Sequence, residues 1–134
     1  MPSLAIGPQT QTAFMTDYSR GDIVLVPFDF SDRSGTKLRP AVVVSTDEYN
    51  DRGPDVLVAS ITGNLDAVHH VGDRSIVDWQ QAGLLIPSLF QTKIATIEAS
   101  LIRRRLGRLT DDDLDRMIEG LREALDLPLM SATG

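Results

Sequence analysis

Two side chains in the first half of the sequence have the chemistry needed to bind one phosphate group. Arg39 stands before Pro40 and the apolar run AVVVS, and Thr62 ends a second apolar run that starts at Val56. An arginine fork donates two hydrogen bonds to phosphate oxygens and keeps its charge at neutral pH. A threonine hydroxyl can donate one more bond to a developing oxyanion. If the two runs pair as strands, their polar ends can converge on one phosphate.

Apolar runs of strand length surround these two residues. The pattern predicts strands at 23–28, 41–44, 56–61, 89–97 and 101–106, a brief strand at 84–87, and a short extended piece at 74–78. Pro27 cannot donate to a ladder, so the first strand ends there or lies at an edge. Residues 41–44 are apolar at every position, which indicates a central strand buried on both faces. Residues 47–54 are polar and end in Gly-Pro, which predicts only a break between strands.

The end of the sequence predicts one amphipathic helix. Thr110 is a good N-cap, Asp113 three residues later resembles a capping box, and the acidic first turn suits the helix dipole. Apolar residues recur at helical spacing: Leu114, Met117, Ile118, Leu121 and Leu125. Many short strands and one terminal helix indicate a mainly β (α+β) fold, in which a helix packs on a small barrel.

Length, cysteine content and hydropathy narrow the class of protein. The 134 residues are enough for one domain, and the absence of cysteine excludes disulfides and thiolate metal sites. No segment reaches the roughly 20 apolar residues of a membrane span, and the first 20 residues do not resemble a signal peptide. We therefore expect a soluble, cytoplasmic protein with a flexible arm over 1–16, a folded domain over 17–127 and a tail over 128–134.

The net charge of −6 at first argues against a nucleic-acid partner. Residues 110–126 contain seven acidic residues and two arginines, so they carry −5, and the rest of the chain carries about −1. A basic cluster, Arg103 to Arg105 with Arg108, lies just before this acidic helix, and we expect one of its arginines to pair with the helix. Most of the negative charge thus lies in the predicted C-terminal helix, and the net charge does not exclude nucleic-acid binding by the rest of the chain.

The remaining candidates for chemistry are less specific. His69 and His70 are adjacent, so their side chains point apart in an extended chain, and no third ligand has suitable spacing. We interpret them as a loop pair and predict no metal site. Trp79 can stack on a nucleobase, although packing in the core is the more common role of a single tryptophan.

Four segments, in order, resemble the MazF/PemK toxins of bacterial type II toxin–antitoxin systems. They are RGDIVLVPF, KLRPAVVVS, DVLVASIT and KIATIEASLIRRRLGRLTDDDLDRMIEGLREAL, and they cover most of the chain from Arg20 to Leu125. The resemblance implies an SH3-like, PemK/MazF-type barrel that forms a homodimer. It also implies an endoribonuclease that needs no metal or cofactor, cleaves single-stranded RNA at short motifs to inhibit growth, and is blocked by a cognate antitoxin.

The same resemblance implies roles for individual residues. Arg39 and Thr62 match the catalytic arginine and threonine of the family. Beyond what the resemblance implies, we expect contacts to RNA from a polar set on the loops and strands around them: Ser31, Lys37, Asn64 and Lys93. Several family members have a carboxylate a few residues before the Thr-Ile-acid motif. This chain has Thr92 there, so the general base stays unassigned.

Several alternatives remain open at the level of sequence. The barrel can be a non-catalytic module that binds RNA or a protein partner, or a toxin with another target such as a topoisomerase. Arg39 can also have a structural role, paired with Asp29 or Asp32 across the loop that precedes it.

Overall fold

The computed structural model describes residues 17–27 and 37–128. In this part of the chain the strands are β1 (Asp22–Val26), β2 (Arg39–Val43), β3 (Asp55–Thr62), β4 (Arg74–Ile76), β5 (Ser88–Glu98) and β6 (Arg104–Arg108). The helices are α1 (Asp47–Arg52) and α2 (Asp111–Leu125), and a 3-10 turn covers Ala99–Leu101. The predicted arm over 1–16, Phe28, most of the following loop with Ser31, and residues 129–134 of the predicted tail lie outside the described residues.

The strands form one antiparallel sheet with the order β4-β5-β3-β2-β1-β6. The sheet curls into a half-barrel, and the C-terminal helix packs on it, which confirms the predicted mainly β fold with a terminal helix. β3 and β2 lie at its centre, so the two strands that carry Thr62 and Arg39 are neighbours. Within the described residues, no helix has the length and apolar character that a bilayer span requires.

Apolar side chains cover both faces of the central strands. On the face that packs against α2, which we call the helix face, the core includes Ile23, Val42, Ala59, Phe90 and Met117. On the opposite face, which we call the far face, it includes Val24, Val26, Ala41, Val43 and Val58. Because successive side chains of a strand alternate between faces, the unbroken apolar run at 41–44 supplies both cores, as predicted.

The start of α2 confirms the predicted N-cap but not the full capping box. The hydroxyl of Thr110 accepts the backbone N–H of Asp113 at 3.3 Å. The Asp113 carboxylate does not return to the N-cap backbone. It is buried and accepts the backbone N–H groups of Val77 and Asp78 at 3.1 and 2.8 Å. A residue expected to cap the helix therefore ties α2 to the segment that follows β4.

Three local predictions are wrong. Residues 47–52 form α1 rather than a simple break, because the Thr46 hydroxyl caps the helix by accepting the N–H of Tyr49. The buried Asn50 of this helix donates to the carbonyl of Tyr18 at 3.0 Å and so ties α1 to the segment that precedes β1. Residues 84–87 are not a strand, and the last strand covers 104–108 rather than 101–106.

The basic cluster also differs from expectation. Arg105 and Arg108 contact the carboxylate of Asp22 on β1 at 3.1 and 3.0 Å rather than an acidic residue of α2. Arg74 on β4 is instead the partner of that helix, with Glu123 at 2.9 Å and Glu119 at 3.8 Å. The register of β1 with β6 explains the difference, since Asp22 lies opposite Arg108.

Candidate active site

The pairing of β2 with β3 brings Arg39 and Thr62 to the same edge of the sheet. Arg39 begins β2 and Thr62 ends β3, and the two antiparallel strands pair Ala41 with Ser60. Continuing this register by two residues places Arg39 across from Thr62. Residues directly opposite in an antiparallel pair share a face, with Cβ atoms roughly 5 Å apart. The two side chains predicted to act on one phosphate therefore lie side by side on the far face.

A local turn orients the hydroxyl of Thr62. Its oxygen accepts the backbone N–H of Asn64 at 3.0 Å, and the side-chain oxygen of Asn64 accepts the N–H of Asp66 at 3.1 Å. A hydroxyl has one proton to donate and can accept at its lone pairs. Since the turn uses an acceptor site, the proton of Thr62 stays available for an incoming oxyanion.

Arg39 is exposed at the mouth of this site. Among residues 17–27 and 37–128, no side chain forms an ion pair or hydrogen bond with its guanidinium. Asp29 and Asp32, its alternative structural partners, lie outside the described residues. Pro40 pairs with Leu25 of β1 and restricts the backbone of Arg39 to an extended conformation, which sets the direction of its side chain.

The predicted RNA contacts lie in different places around the pair. Lys37 is exposed two residues before Arg39, and Asn64 is exposed two residues after Thr62. Lys93 is exposed on β5, and the alternation of that strand puts it on the far face. Ser31 lies outside the described residues. The structure thus positions three of the four on or near the surface of the candidate site, and their contacts with RNA stay predictions.

Thr92, at the position where the family resemblance led us to look for a carboxylate, faces away from Arg39 and Thr62. Its backbone N–H donates to the carboxylate of Asp73 at 2.9 Å, and its hydroxyl lies 3.2 Å from the same oxygen. A methyl group of Thr92 also approaches Gly72, whose backbone packs on Gly120 of α2. These contacts put the Thr92 side chain on the helix face, so it contributes nothing to the candidate site.

Two polar residues near the pair were missed in the sequence. Ser60 and Gln91 are 8% and 4% exposed, and both lie on the far face. Ser60 precedes Thr62 by two residues on β3, and Gln91 comes from the adjacent part of β5. A glutamine within an apolar strand pattern could have marked Gln91 as a candidate. The sequence does not show, however, whether its side chain lies on the face of Arg39 and Thr62.

The remaining candidates have ordinary structural environments. His69 and His70 are exposed, and no group of three His, Asp or Glu side chains suited to a metal ion occurs in the described part of the chain. Trp79 packs against the core of the helix face, as expected for a single tryptophan.

Comparison with known proteins gives a family and a fold. A family model described as the PemK-like, MazF-like toxin of type II toxin–antitoxin systems matches residues 19–125. No curated protein has significant sequence similarity to the chain.

Solved structures with the same fold come from several bacteria. An endoribonuclease from a mycobacterial species, in complex with its cognate antitoxin, has a TM-score of 0.65 at 20% identity and covers 87% of this chain and 100% of its own. The toxin MazF-mt6 of Mycobacterium tuberculosis has a TM-score of 0.65 at 23% identity, covering 81% and 99%. A MazE–MazF complex from Deinococcus radiodurans has a TM-score of 0.62 at 15% identity, covering 83% and 97%.

Proposed function

This chain belongs to the PemK-like, MazF-like toxins of type II toxin–antitoxin systems, and we propose that it is an endoribonuclease that cleaves single-stranded RNA without a metal ion. The observation that carries the proposal is the convergence of Arg39 and Thr62 at one edge of β2 and β3. Both residues occupy the positions that the family resemblance assigns to catalysis.

The proposed reaction uses the substrate as its own nucleophile. The ribose 2′-OH attacks the adjacent phosphorus and expels the 5′-oxygen of the next nucleotide, leaving a 2′,3′-cyclic phosphate and a 5′-OH end. Negative charge develops on the non-bridging oxygens as the phosphorus becomes five-coordinate. Arg39 donates two charge-assisted hydrogen bonds to these oxygens, and the free proton of Thr62 supplies a third.

Arg39 has a second suitable role in this reaction. A guanidinium stays protonated in proteins, so it is a poor base but a reliable hydrogen-bond donor to the departing oxygen. The proton of the 2′-OH passes to a base that we do not assign to a side chain, since Thr92 is a neutral hydroxyl on the opposite face.

Protein partners are a second part of the proposal. We expect a cognate antitoxin, because solved structures of similar toxins include complexes with antitoxins. We also expect a homodimer, which the family resemblance implies. Six of the twelve exposed large hydrophobic residues in the described part fall between 65 and 86: Leu65, Val68, Val71, Val77, Leu85 and Ile86. Contiguous exposed apolar patches are typical of interaction surfaces, and we propose that these side chains contribute to one.

One assay tests the nuclease proposal directly. Purified protein is incubated with a long single-stranded RNA, and the ends of the products are sequenced and chemically typed. We expect cuts at a short motif that leave a 2′,3′-cyclic phosphate, and no cut where a 2′-deoxynucleotide precedes the scissile phosphate. Intact RNA, with the protein still bound to it, would favour a non-catalytic binding module.

A further inference from the structure

Resting on the proposed nuclease function, we propose that Gln91, supported by Ser60, reads the base of the nucleotide next to the scissile phosphate and thereby determines part of the cleavage motif. The proposal depends on three observations. These are the face on which the two residues lie, their near-complete burial, and the absence of a hydrogen-bond partner in the described structure.

The register of three strands puts Gln91 on the same face as the candidate catalytic pair. Phe90 belongs to the core of the helix face, and Thr92 contacts Asp73 on that side. Because side chains alternate, Gln91 between them points to the far face. Thr62 of β3 pairs with Leu89, two residues before Gln91 on β5, and lies on the far face as well.

An irregularity in β5 aligns Gln91 with Ser60. β3 pairs Ile61 with Phe90 but Ala59 with Ile94, so residues 91–93 of β5 bulge opposite Ser60 alone. Ser60 is two residues from Thr62, or about 7 Å along the strand. A nucleotide whose phosphate lies between Arg39 and Thr62 therefore has its base within reach of this position.

The amide of Gln91 is nearly buried but not satisfied within the described residues. Gln91 is 4% exposed and Ser60 8%, and neither side chain forms a hydrogen bond in this part of the structure. Among the fully enclosed side-chain polar atoms in the described residues, Nε of Arg116 is the one that lacks a hydrogen-bond partner. The amide of Gln91 also lacks one but is not among these atoms, so it reaches the surface. Buried polar groups usually have hydrogen-bond partners, so a nearly buried amide without one, on the face of the candidate site, is suited to bind a ligand.

The chemistry of an amide suits a nucleobase. It presents one acceptor and two donors next to each other, and nucleobase edges have adjacent donors and acceptors in the complementary arrangement. A bidentate pair of this kind discriminates between bases by about 5- to 150-fold. Ser60 adds a hydroxyl that donates or accepts as the base requires. Arg39 and Thr62 contact the phosphate that all nucleotides share, so they contribute no selection among bases.

The test compares Gln91→Met with Gln81→Met. Methionine has nearly the length of glutamine without its hydrogen bonds, and Gln81 is an exposed glutamine outside the candidate site. Each protein is given a long single-stranded RNA for mapping of cut sites and a randomised single-stranded RNA pool for binding. We expect Gln91→Met to lose about 5- to 150-fold selectivity at one motif position while the other positions keep theirs. Gln81→Met should keep the whole motif.

The other outcomes are informative too. A folded Gln91→Met protein with the unchanged wild-type motif would overturn the assignment, as would wild-type cleavage without any base preference. If Gln91→Met does not fold, Gln91→Glu replaces it. That variant keeps the acceptors and loses the donors, so it should lose the preference at the same position, and an unchanged motif again overturns the proposal. Wild-type protein that neither cuts nor binds RNA would instead refute the nuclease function itself.

Discussion

The backbone N–H of Asn64 lies 3.0 Å from the hydroxyl oxygen of Thr62 and donates to it. This bond fixes the oxygen at the end of β3 while leaving the hydroxyl proton free to donate. Together with the register that puts Arg39 opposite Thr62, it places two hydrogen-bond donors at the end of the two central strands, where we propose that they bind one phosphate.

The first prediction concerns that hydroxyl. Thr62→Ala removes one donor to the developing oxyanion and should lower the rate of RNA cleavage by about 10²- to 10³-fold. Thr62→Ser keeps the hydroxyl and should keep most of the rate. Single-turnover cleavage of a defined RNA measures both, with the exposed Thr96→Ala as the matched control. Equal rates for Thr62→Ala and wild type would remove Thr62 from the mechanism.

The second prediction concerns the guanidinium. Arg39→Ala should abolish growth inhibition and slow cleavage by at least about 10²-fold, with unfolding by denaturant unchanged. Arg39→Lys should also be poor, because a point charge does not replace a bidentate fork. Arg52→Ala, which removes an exposed arginine paired with Glu48 on α1, is the control.

The double variant of the candidate pair provides a further check. If Arg39 and Thr62 stabilise the same transition state, the loss from both substitutions should be smaller than the product of the single losses. Fully multiplicative losses would indicate that the two residues act in separate steps.

The third prediction concerns metal ions. Since the proposed chemistry uses the 2′-OH of the substrate and protein donors, cleavage should proceed at the same rate in excess EDTA. The same RNA and the same time course, with and without chelator, provide the measurement. Activity that disappears in EDTA and returns with Mg²⁺ or Mn²⁺ would contradict the mechanism.

The fourth prediction concerns assembly. Apolar residues between 65 and 86 are exposed in the single chain, and we expect a second copy of the chain to cover them in a homodimer. Light scattering at micromolar concentration should give twice the 14.7 kDa of one chain. A mass of one chain under those conditions would contradict the prediction.

The fifth prediction concerns the contact of α2 with the loop before β4. A Cβ at Gly120 would lie 2.1 Å from the carbonyl oxygen of Gly72. Gly120→Ala should therefore lower the free energy of unfolding by about 1–3 kcal/mol, although alanine favours a helix by about 1 kcal/mol over glycine. Gly53→Ala is the control, because nothing lies within 4 Å of a Cβ there. Chemical denaturation measures both variants, and a stabilised Gly120→Ala protein would show that the loop moves freely.

The sequence by itself determined the elements with strong periodicity and the identity of the catalytic candidates. The unbroken apolar run at 41–44 predicted a strand buried on both faces, and the spacing of apolar residues after Thr110 predicted α2. These features are local, since each depends on side chains within one turn or one strand. The sequence also predicted that Arg39 and Thr62 lie at strand ends, because Pro40 follows Arg39 and an apolar run ends at Thr62.

Only the tertiary structure decided which side chains share a face and which partners they meet. The sequence could not show that Thr92 contacts Asp73 while Gln91 lies on the same face as Thr62, because the bulge of β5 opposite Ser60 depends on strand pairing. It could not predict that Arg105 meets Asp22 rather than α2, since that contact joins strands more than eighty residues apart. Burial and register arise from contacts distant in the chain, and these assemble the candidate site from residues whose types were already visible.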